Sequence, residues 1–369
     1  FGGLVPLILK ALLSARKESK RRMRDATDAV TKAVFNQKQK AEKISANSLY
    51  GYLGAKGAAT FYCMQAAMYI THRAREMLCE TQKYVKEFAP CRVVYGDTDS
   101  IMVIFEDAHD VEMAFDMGDR AADYITSKFG SEHIVLEMEN VKHPYLLLNK
   151  KRYAGRMYIR GSAGDIVEDG IDIKGIEVVR RDSCPLVKRM MQGIIDALMY
   201  EQDPNVACAH VQREIDAIVR DSPPLADYVT SKTRAPRYAN EDSQAHMRVV
   251  RDIERRGGQV PQVKDRVPYI IRQTRDPKHK VSDKAVDPKY AVEMGMRPDR
   301  LHTVREVKKK VTALMEHVAD VNALFEAAER TLLHKQTGQR SICGFLTERA
   351  TEQVDEQVDE QVDEQVDEQ

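Results

Sequence analysis

Residues 93–105 read Val-Val-Tyr-Gly-Asp-Thr-Asp-Ser-Ile-Met-Val-Ile-Phe, and no other stretch limits the fold as tightly. Two apolar runs rich in β-branched residues flank a Gly-Asp-Thr-Asp centre, the pattern of a β-hairpin whose tight turn carries acids. Asp97 and Asp99 are therefore expected together at a hairpin tip, with Thr98 and Ser100 shaping the turn. Clustered negative charge costs Coulomb energy unless a cation is bound, and paired hard oxygen donors suit Mg²⁺ or Mn²⁺ better than a soft metal. The tip reads as a metal site. A solvated Asp-rich turn has the same signature, so the pair needs support from the rest of the chain.

That support lies upstream. Leu4, Leu7, Ile8, Ala11, Leu12 and Ala15 recur at helical spacing, and beyond them the helix turns basic with Arg16, Lys17, Lys20, Arg21, Arg22 and Arg24. After a polar break at residues 25–28, a second helical stretch runs through Lys32, Gln39 and Lys43 to Tyr50. Two helices joined by so short a turn pack antiparallel, which presents Arg16, Lys20 and Lys43 to one pocket. Lys43, Asn47 and Tyr50 stand at i, i+4 and i+7, so one stripe of the second helix is polar and aromatic. A solvated basic face is the plainer alternative.

Composition sets the outer bounds. At 369 residues the chain has room for two or three cored domains, and no apolar run approaches the length of a membrane span. Because it starts at Phe1 it is expected to be a piece of something longer, and its start does not read as a signal peptide. The cysteines at 63, 79, 91, 184, 208 and 343 include no Cys-x-x-Cys pair, which argues against a zinc ribbon or disulfide framework and for a reducing compartment. The formal charge of zero conceals an asymmetry. Residues from Glu352 onward hold nine acids and no Lys or Arg; the rest keeps 57 basic residues against 48 acidic ones, an excess of nine. A body of that sign can attract a polyanion.

Four motifs, Lys43-Ile44-Ser45-Ala46-Asn47-Ser48-Leu49-Tyr50-Gly51, Tyr95-Gly96-Asp97-Thr98-Asp99-Ser100, Lys150-Lys151-Arg152-Tyr153-Ala154-Gly155 and Lys174-Gly175-Ile176-Glu177-Val178-Val179-Arg180-Arg181-Asp182-Ser183-Cys184-Pro185, follow in this order. Together the chain resembles the family B DNA polymerases, nearest to the delta-type replicative branch that includes enzymes of large DNA viruses. The resemblance implies an α+β right-hand fold with an antiparallel palm sheet, helical fingers and a mostly helical thumb. It assigns residues 1–50 to fingers helices, 51–183 to a palm with the catalytic hairpin and 184–348 to the thumb, with 349–369 left as a disordered acidic tail. By this resemblance the chain is expected to lack the family's exonuclease and amino-terminal domains.

The implied chemistry is templated DNA synthesis by two-metal phosphoryl transfer to a primer 3′-hydroxyl. Asp99 is the principal ligand for Mg²⁺ (two ions, with Mn²⁺ as the alternative) and Asp97 supports it. Arg16, Lys20, Lys43 and Asn47 grip the deoxynucleoside triphosphate, a task suited to a guanidinium fork and ammonium point charges. Lys43 also protonates the departing pyrophosphate, and Tyr50 lies beneath the nascent base pair. Lys150, Lys151, Arg152 and Tyr153 lie against primer-template duplex, where phosphate contacts give affinity without sequence preference. A sliding clamp is a further candidate partner, and the nucleus or a viral replication compartment the expected location.

Further along, residues 110–128 form an amphipathic helix stopped by Gly130, and residues 134–139 alternate like a strand on which Glu137 is an extra candidate carboxylate. Gly51, Gly54 and Gly57 mark a loosened connection to a helix over residues 61–88. From Pro185 an apolar stripe of Leu186, Val187, Met190, Met191, Ile194, Ile195, Leu198 and Met199 predicts a core helix, and residues 205–220 a second. Lys232, Arg234, Arg237, Arg248, Arg251, Arg255 and Arg256 are strewn over the segment expected to wrap duplex.

Four departures qualify the resemblance. Lys264 stands where the family has Gly, the segment near residues 297–302 lacks expected aromatics, and the carboxyl end carries no cysteine modules. The family's second catalytic carboxylate belongs to an Asp-x-x-Ser-Leu-Tyr-Pro-Ser motif that would precede Phe1, so the 369 residues alone are expected to polymerise weakly or not at all. The terminal Val-Asp-Glu-Gln repeat drifts around a helix and offers no aromatic pair to a clamp; a solvated tail is expected. A DNA-holding fragment without chemistry, or a metal-dependent glycosyltransferase built on Asp-x-Asp, are the competing readings, and the second leaves the Lys43–Gly51 run unexplained.

Overall fold

The computed structural model describes residues 3–57, 62–131, 133–161, 164–221, 223–274 and 279–337. Phe61, Cys343 and the acidic repeat over 349–369 lie outside these. The chain divides into two compact units, Phe1–Lys142 with Met157–Gly170, and His143–Arg156 with Ile171–Gln369. Among the described residues no helix is long and apolar enough to cross a membrane.

The first unit begins with two long helices, α1 (Leu4–Asp25) and α2 (Ala29–Gly54), packed against each other along their length. Asp28 caps α2 by accepting a hydrogen bond from the Thr31 amide at 2.7 Å, so the polar break predicted at residues 25–28 is a capped turn. The expected loosening at Gly51 does not occur: α2 runs through Gly51 and ends at Gly54. Helix propensity penalises a single glycine by only about 1 kcal/mol, too little to break a helix already packed on its neighbour.

After α3 (Met64–Phe88) come β1 (Cys91–Asp97) and β2 (Ser100–Phe105), an antiparallel pair with Asp97 opposite Ser100. The register shifts between Val93 and Tyr95, so Val94 is an extra residue on β1. Such a bulge increases local twist and re-aims the side chains beyond it. Next, α4 (Val111–Phe129) starts on an Asp110 cap and stops at Gly130, whose φ of +59° is the left-handed end predicted for it. Val85, Phe105, Ala121 and Ile125 bury this hairpin against α3 and α4.

Residues 134–139 form no strand. The alternation is real, since Ile134, Leu136 and Met138 turn inward while Val135, Glu137 and Glu139 are exposed. Its cause is one-sided burial along α4: the Leu136 amide donates to Thr126 Oγ1 at 3.0 Å, and Met138 packs over Gly118. Period-two burial reports a covered face, not a ladder partner.

A three-stranded sheet has the order β3 (Val141–Asn149), β4 (Arg152–Arg160), β5 (Ile166–Lys174). In the second unit, α5 (Pro185–Asp196), α6 (Pro204–Val219), α9 (Arg300–Met315) and α10 (Asn322–Thr337) enclose the largest core, to which Ala154 and Ile176 also belong. The predicted apolar stripe is this core: Leu186, Met190, Met191, Ile194 and Ile195 are fully buried. Between these helices the chain adds β6 (Thr230–Thr233), α7 (Ala245–Arg255), β7 (Arg266–Ile271), β8 (Ala285–Val286) and α8 (Pro288–Glu293). The strands form a second small sheet, β6-β7-β8, packed on Met247, Val249 and Val250 of α7. Helices with small antiparallel sheets make the chain α+β, as expected.

Candidate functional site

The acidic tip is a two-residue connection. The Asp99 amide donates to the Asp97 carbonyl at 2.7 Å, with Thr98 between them at φ +58°. An i to i+2 bond around a positive φ is a γ-turn of the rarer, more strained hand. Two hydroxyls brace it: Thr98 Oγ1 donates to Asp97 Oδ1 at 3.0 Å and Ser100 Oγ to the Asp97 carbonyl at 3.1 Å. Asp97 is half-buried at the strand end, whereas Asp99 is exposed and makes no ion pair among the described residues. Gly96 brings the strand close to α3, where an added Cβ would stand 3.7 Å from Gln82 Nε2.

The four nucleotide-gripping candidates share the α1–α2 pair. Arg16 Nε donates to Gln39 Oε1 at 3.4 Å, and the buried Ser19 hydroxyl donates to Glu42 Oε1 at 3.1 Å. Gln39 is one turn from Lys43, so Arg16 and Lys43 lie within a turn of each other along the pair. Lys20, Lys43, Asn47 and Tyr50 are exposed. Farther along α1, Arg21 and Arg22 both bind Glu18; their hydrogen bonds hold its carboxyl down at about 2. Among the described residues Lys20 makes no ion pair of this kind, which leaves its charge open to an anion. Helix α3 touches α2 as well as both strands of the acidic hairpin.

The basic run occupies a second hairpin tip, between β3 and β4. Lys150 and Lys151 form the connection and are exposed; Lys151 has φ +60°, and the Lys150 amide donates to Asn149 Oδ1 at 2.7 Å. Arg152 and Tyr153 turn inward. One Arg152 Nη donates to both carboxylate oxygens of Glu177, at 3.2 and 3.0 Å, and Tyr153 is buried with its ring 5.6 Å from that of Tyr145.

Most of the scattered cations expected to face duplex are tied internally. Lys232 donates to Gln244 at 2.9 Å, Arg234 to the Pro261 carbonyl at 2.6 Å and Arg251 to Asp242 at 2.6 Å. Arg248 and Arg255 both meet Asp252, and the Arg256 guanidinium lies 4.0 Å over the Tyr290 ring. Basic composition therefore overstates the charge available to a polyanion there.

Asp97 and Asp99 offer hard oxygens of the kind Mg²⁺ prefers. Among the described residues no group of three or more His, Cys, Asp or Glu gathers to hold a metal ion, so the pair is a partial ligand set. Glu137 is exposed and does not join it in such a group. Sequence reasoning missed Glu177 as the partner of Arg152; the only signal was its place in the Lys174–Pro185 run.

Comparison with known proteins identifies the family. The model of DNA polymerase family B matches residues 2–318. The DNA polymerase delta catalytic subunit of Plasmodium falciparum is 35% identical over 325 residues, covering 85% of this chain and 29% of that protein. The Drosophila melanogaster subunit of the same name is 34% identical over 368 residues, covering 95% and 32%. The solved family B DNA polymerase of the hyperthermophilic archaeon Pyrobaculum calidifontis superposes with a TM-score of 0.55 at 24% identity, over 87% of this chain and 39% of that one. The chain thus spans about a third or less of the curated relatives it matches.

Proposed function

The chain belongs to DNA polymerase family B, and on that premise we propose that it supplies the nucleotide-gripping helices, catalytic hairpin and duplex contacts of an enzyme that extends a DNA primer along a template. The observation that carries this reading is the braced γ-turn that holds Asp97 and Asp99 together at a hairpin tip.

In this reading Asp99 is the principal metal ligand and Asp97, oriented by the Thr98 hydroxyl, the supporting one. The two carboxylates would hold Mg²⁺, which would supply the lowered pKa of the primer 3′-hydroxyl and positive charge against the phosphates during in-line displacement. Arg16 and Lys20 on α1, with Lys43 and Asn47 on α2, hold the triphosphate; Lys43 gives a proton to the departing pyrophosphate and Tyr50 tests the shape of the new base pair. The Lys150–Tyr153 tip lies against duplex. Residues 1–50 act as fingers, 51–183 as palm, 184–348 as thumb and 349–369 as tail. This reading calls for a further carboxylate beside the two acids, which form a partial ligand set among the described residues, and it has the 369 residues alone extending primers weakly or not at all. The substrates are deoxynucleoside triphosphates and primer-template DNA, with a sliding clamp as candidate partner. The delta relatives and the free cysteines among the described residues favour the nucleus or a viral replication compartment.

Primer extension by the parent protein in Mg²⁺ tests the reading. Asp99→Asn should lower the rate by roughly 10²-fold or more, the scale of losing one electrostatic stabiliser of a transition state. Normal extension by that variant would overturn it.

A further inference from the structure

The basic tip contains three cations, yet the structure treats them differently. Lys150 and Lys151 are exposed at the two-residue connection, whereas Arg152 is turned back onto Glu177, which is only 7% exposed. A buried carboxylate stripped of its counter-charge is strongly destabilising, so Arg152 cannot swing to a phosphate without stranding Glu177. The same segment grips the tip a second way. Gly175 has φ +65°, and a Cβ there would run into the Lys151 carbonyl oxygen and come within 3.1 Å of Arg152 Cγ. Only glycine permits that approach. The residue between, Ile176, is fully buried in the main core of the second unit, and Lys174 is held by Asp172 at 2.7 Å. On the other side Tyr153 packs against Tyr145.

We propose that Arg152 and Glu177 are a positioning pair: Glu177, anchored through Ile176, holds Arg152 so that Lys150 and Lys151 are presented to DNA phosphates, and Arg152 itself contacts no phosphate. The inference rests on the reading of this tip as a duplex contact. Its physical advantage is preorganisation. Two long cationic side chains on a fixed turn lose less freedom on binding than on a loose one.

Salt dependence separates a positioning cation from a contacting one, because each phosphate neutralised by a protein cation contributes close to one to the slope of log K against log salt. Binding of primer-template DNA to the 369-residue chain is measured across a salt series. Lys150→Ala should weaken binding and reduce the slope by about one. The double variant Arg152→Gln with Glu177→Gln removes both charges and leaves the net charge of the tip unchanged. It should bind roughly tenfold more weakly, the scale of one charge-assisted hydrogen bond, with the wild-type slope. A slope reduced by about one in the double variant would show that Arg152 meets a phosphate, and wild-type affinity would show that the pair positions nothing; either result overturns the proposal. If the double variant fails to fold by circular dichroism, the apolar pair Arg152→Met with Glu177→Leu, which also removes both charges, is read by the same criteria. A wild-type chain with no salt-dependent DNA binding would instead remove the duplex-contact reading beneath it, a failure visible before any variant is made.

Discussion

The Asp99 amide donates to the carbonyl of Asp97 across 2.7 Å, and this bond holds Thr98 at φ +58° between the two acids. A β-branched residue is poorly suited to that backbone region, and such strain costs on the order of 1–3 kcal/mol. Thr98→Gly relieves it, but also deletes the hydroxyl that donates to Asp97 Oδ1. The expected outcome is a chain as stable or up to about 1 kcal/mol more stable by urea unfolding, with primer extension by the parent protein reduced. A variant that gains stability and keeps full extension would show that Thr98 only spans the turn.

Lys264 presents the same backbone conflict in the second unit. It occupies the third position of the turn over residues 262–265, closed by the Asp265 amide on the Gln262 carbonyl at 3.0 Å, with φ +78°. That position of a type II turn favours glycine. Lys264 thus takes a backbone angle that glycine adopts without steric cost, and the bond from the Lys264 amide to the Arg234 carbonyl, 2.8 Å, helps hold it. Lys264→Gly should stabilise the chain by about 1 kcal/mol, a rise in melting temperature of roughly 2–4 °C. An unchanged or lower melting temperature in a calorimetric scan would contradict the strain argument.

Gly193 lets α5 and α6 touch. A Cβ at this position would collide with the His210 imidazole, whose Nε2 is buried without a hydrogen-bond partner among the described residues. Overpacking of this kind costs about 1–3 kcal/mol. Gly193→Ala should lower the urea midpoint accordingly, and adding His210→Ala should recover part of the loss. Independent, additive effects of the two changes would refute the contact as the cause.

His246 makes stability depend on pH. Its side chain is fully buried, Nε2 lies 2.7 Å from the Tyr238 hydroxyl, and burial together with Lys232 pushes the imidazole from 6.5 down to about 4. The unfolded chain therefore binds this proton at a higher pH than the folded one. The contribution is complete above the unfolded value of 6.5 and is lost as pH falls from there toward about 4. Burial lowers His302 as well, acting in the same direction. Urea midpoints should fall between pH 7 and pH 5, and His246→Phe should flatten part of that slope while His302 retains the remainder. An identical slope in the variant would assign the dependence elsewhere.

Local chemistry is what the chain states openly. Asp28 and Asp110 announce the starts of α2 and α4, Gly130 ends α4, and the apolar stripe from Leu186 to Met199 marks the core-facing side of α5 and the turn after it, because caps and periodicity act over a few residues. The acidic tip was legible for the same reason: two apolar runs and a polar centre define a hairpin without reference to any distant element. Residues 134–139 show the limit. Their alternation says which side chains are covered, and α4 covers them as well as a neighbouring strand would.

The sequence by itself determined where the two acids and the exposed cations stand along the chain and which residues must face a core. Tertiary structure alone decided that Arg152 is taken by Glu177, 25 residues away, while Lys150 stays exposed. It also decided that Lys264 would adopt a glycine's backbone angle. Both are choices between conformations that local preference leaves close in energy. They are made by groups brought opposite from far along the chain, whose burial and charge a short window of residues cannot encode.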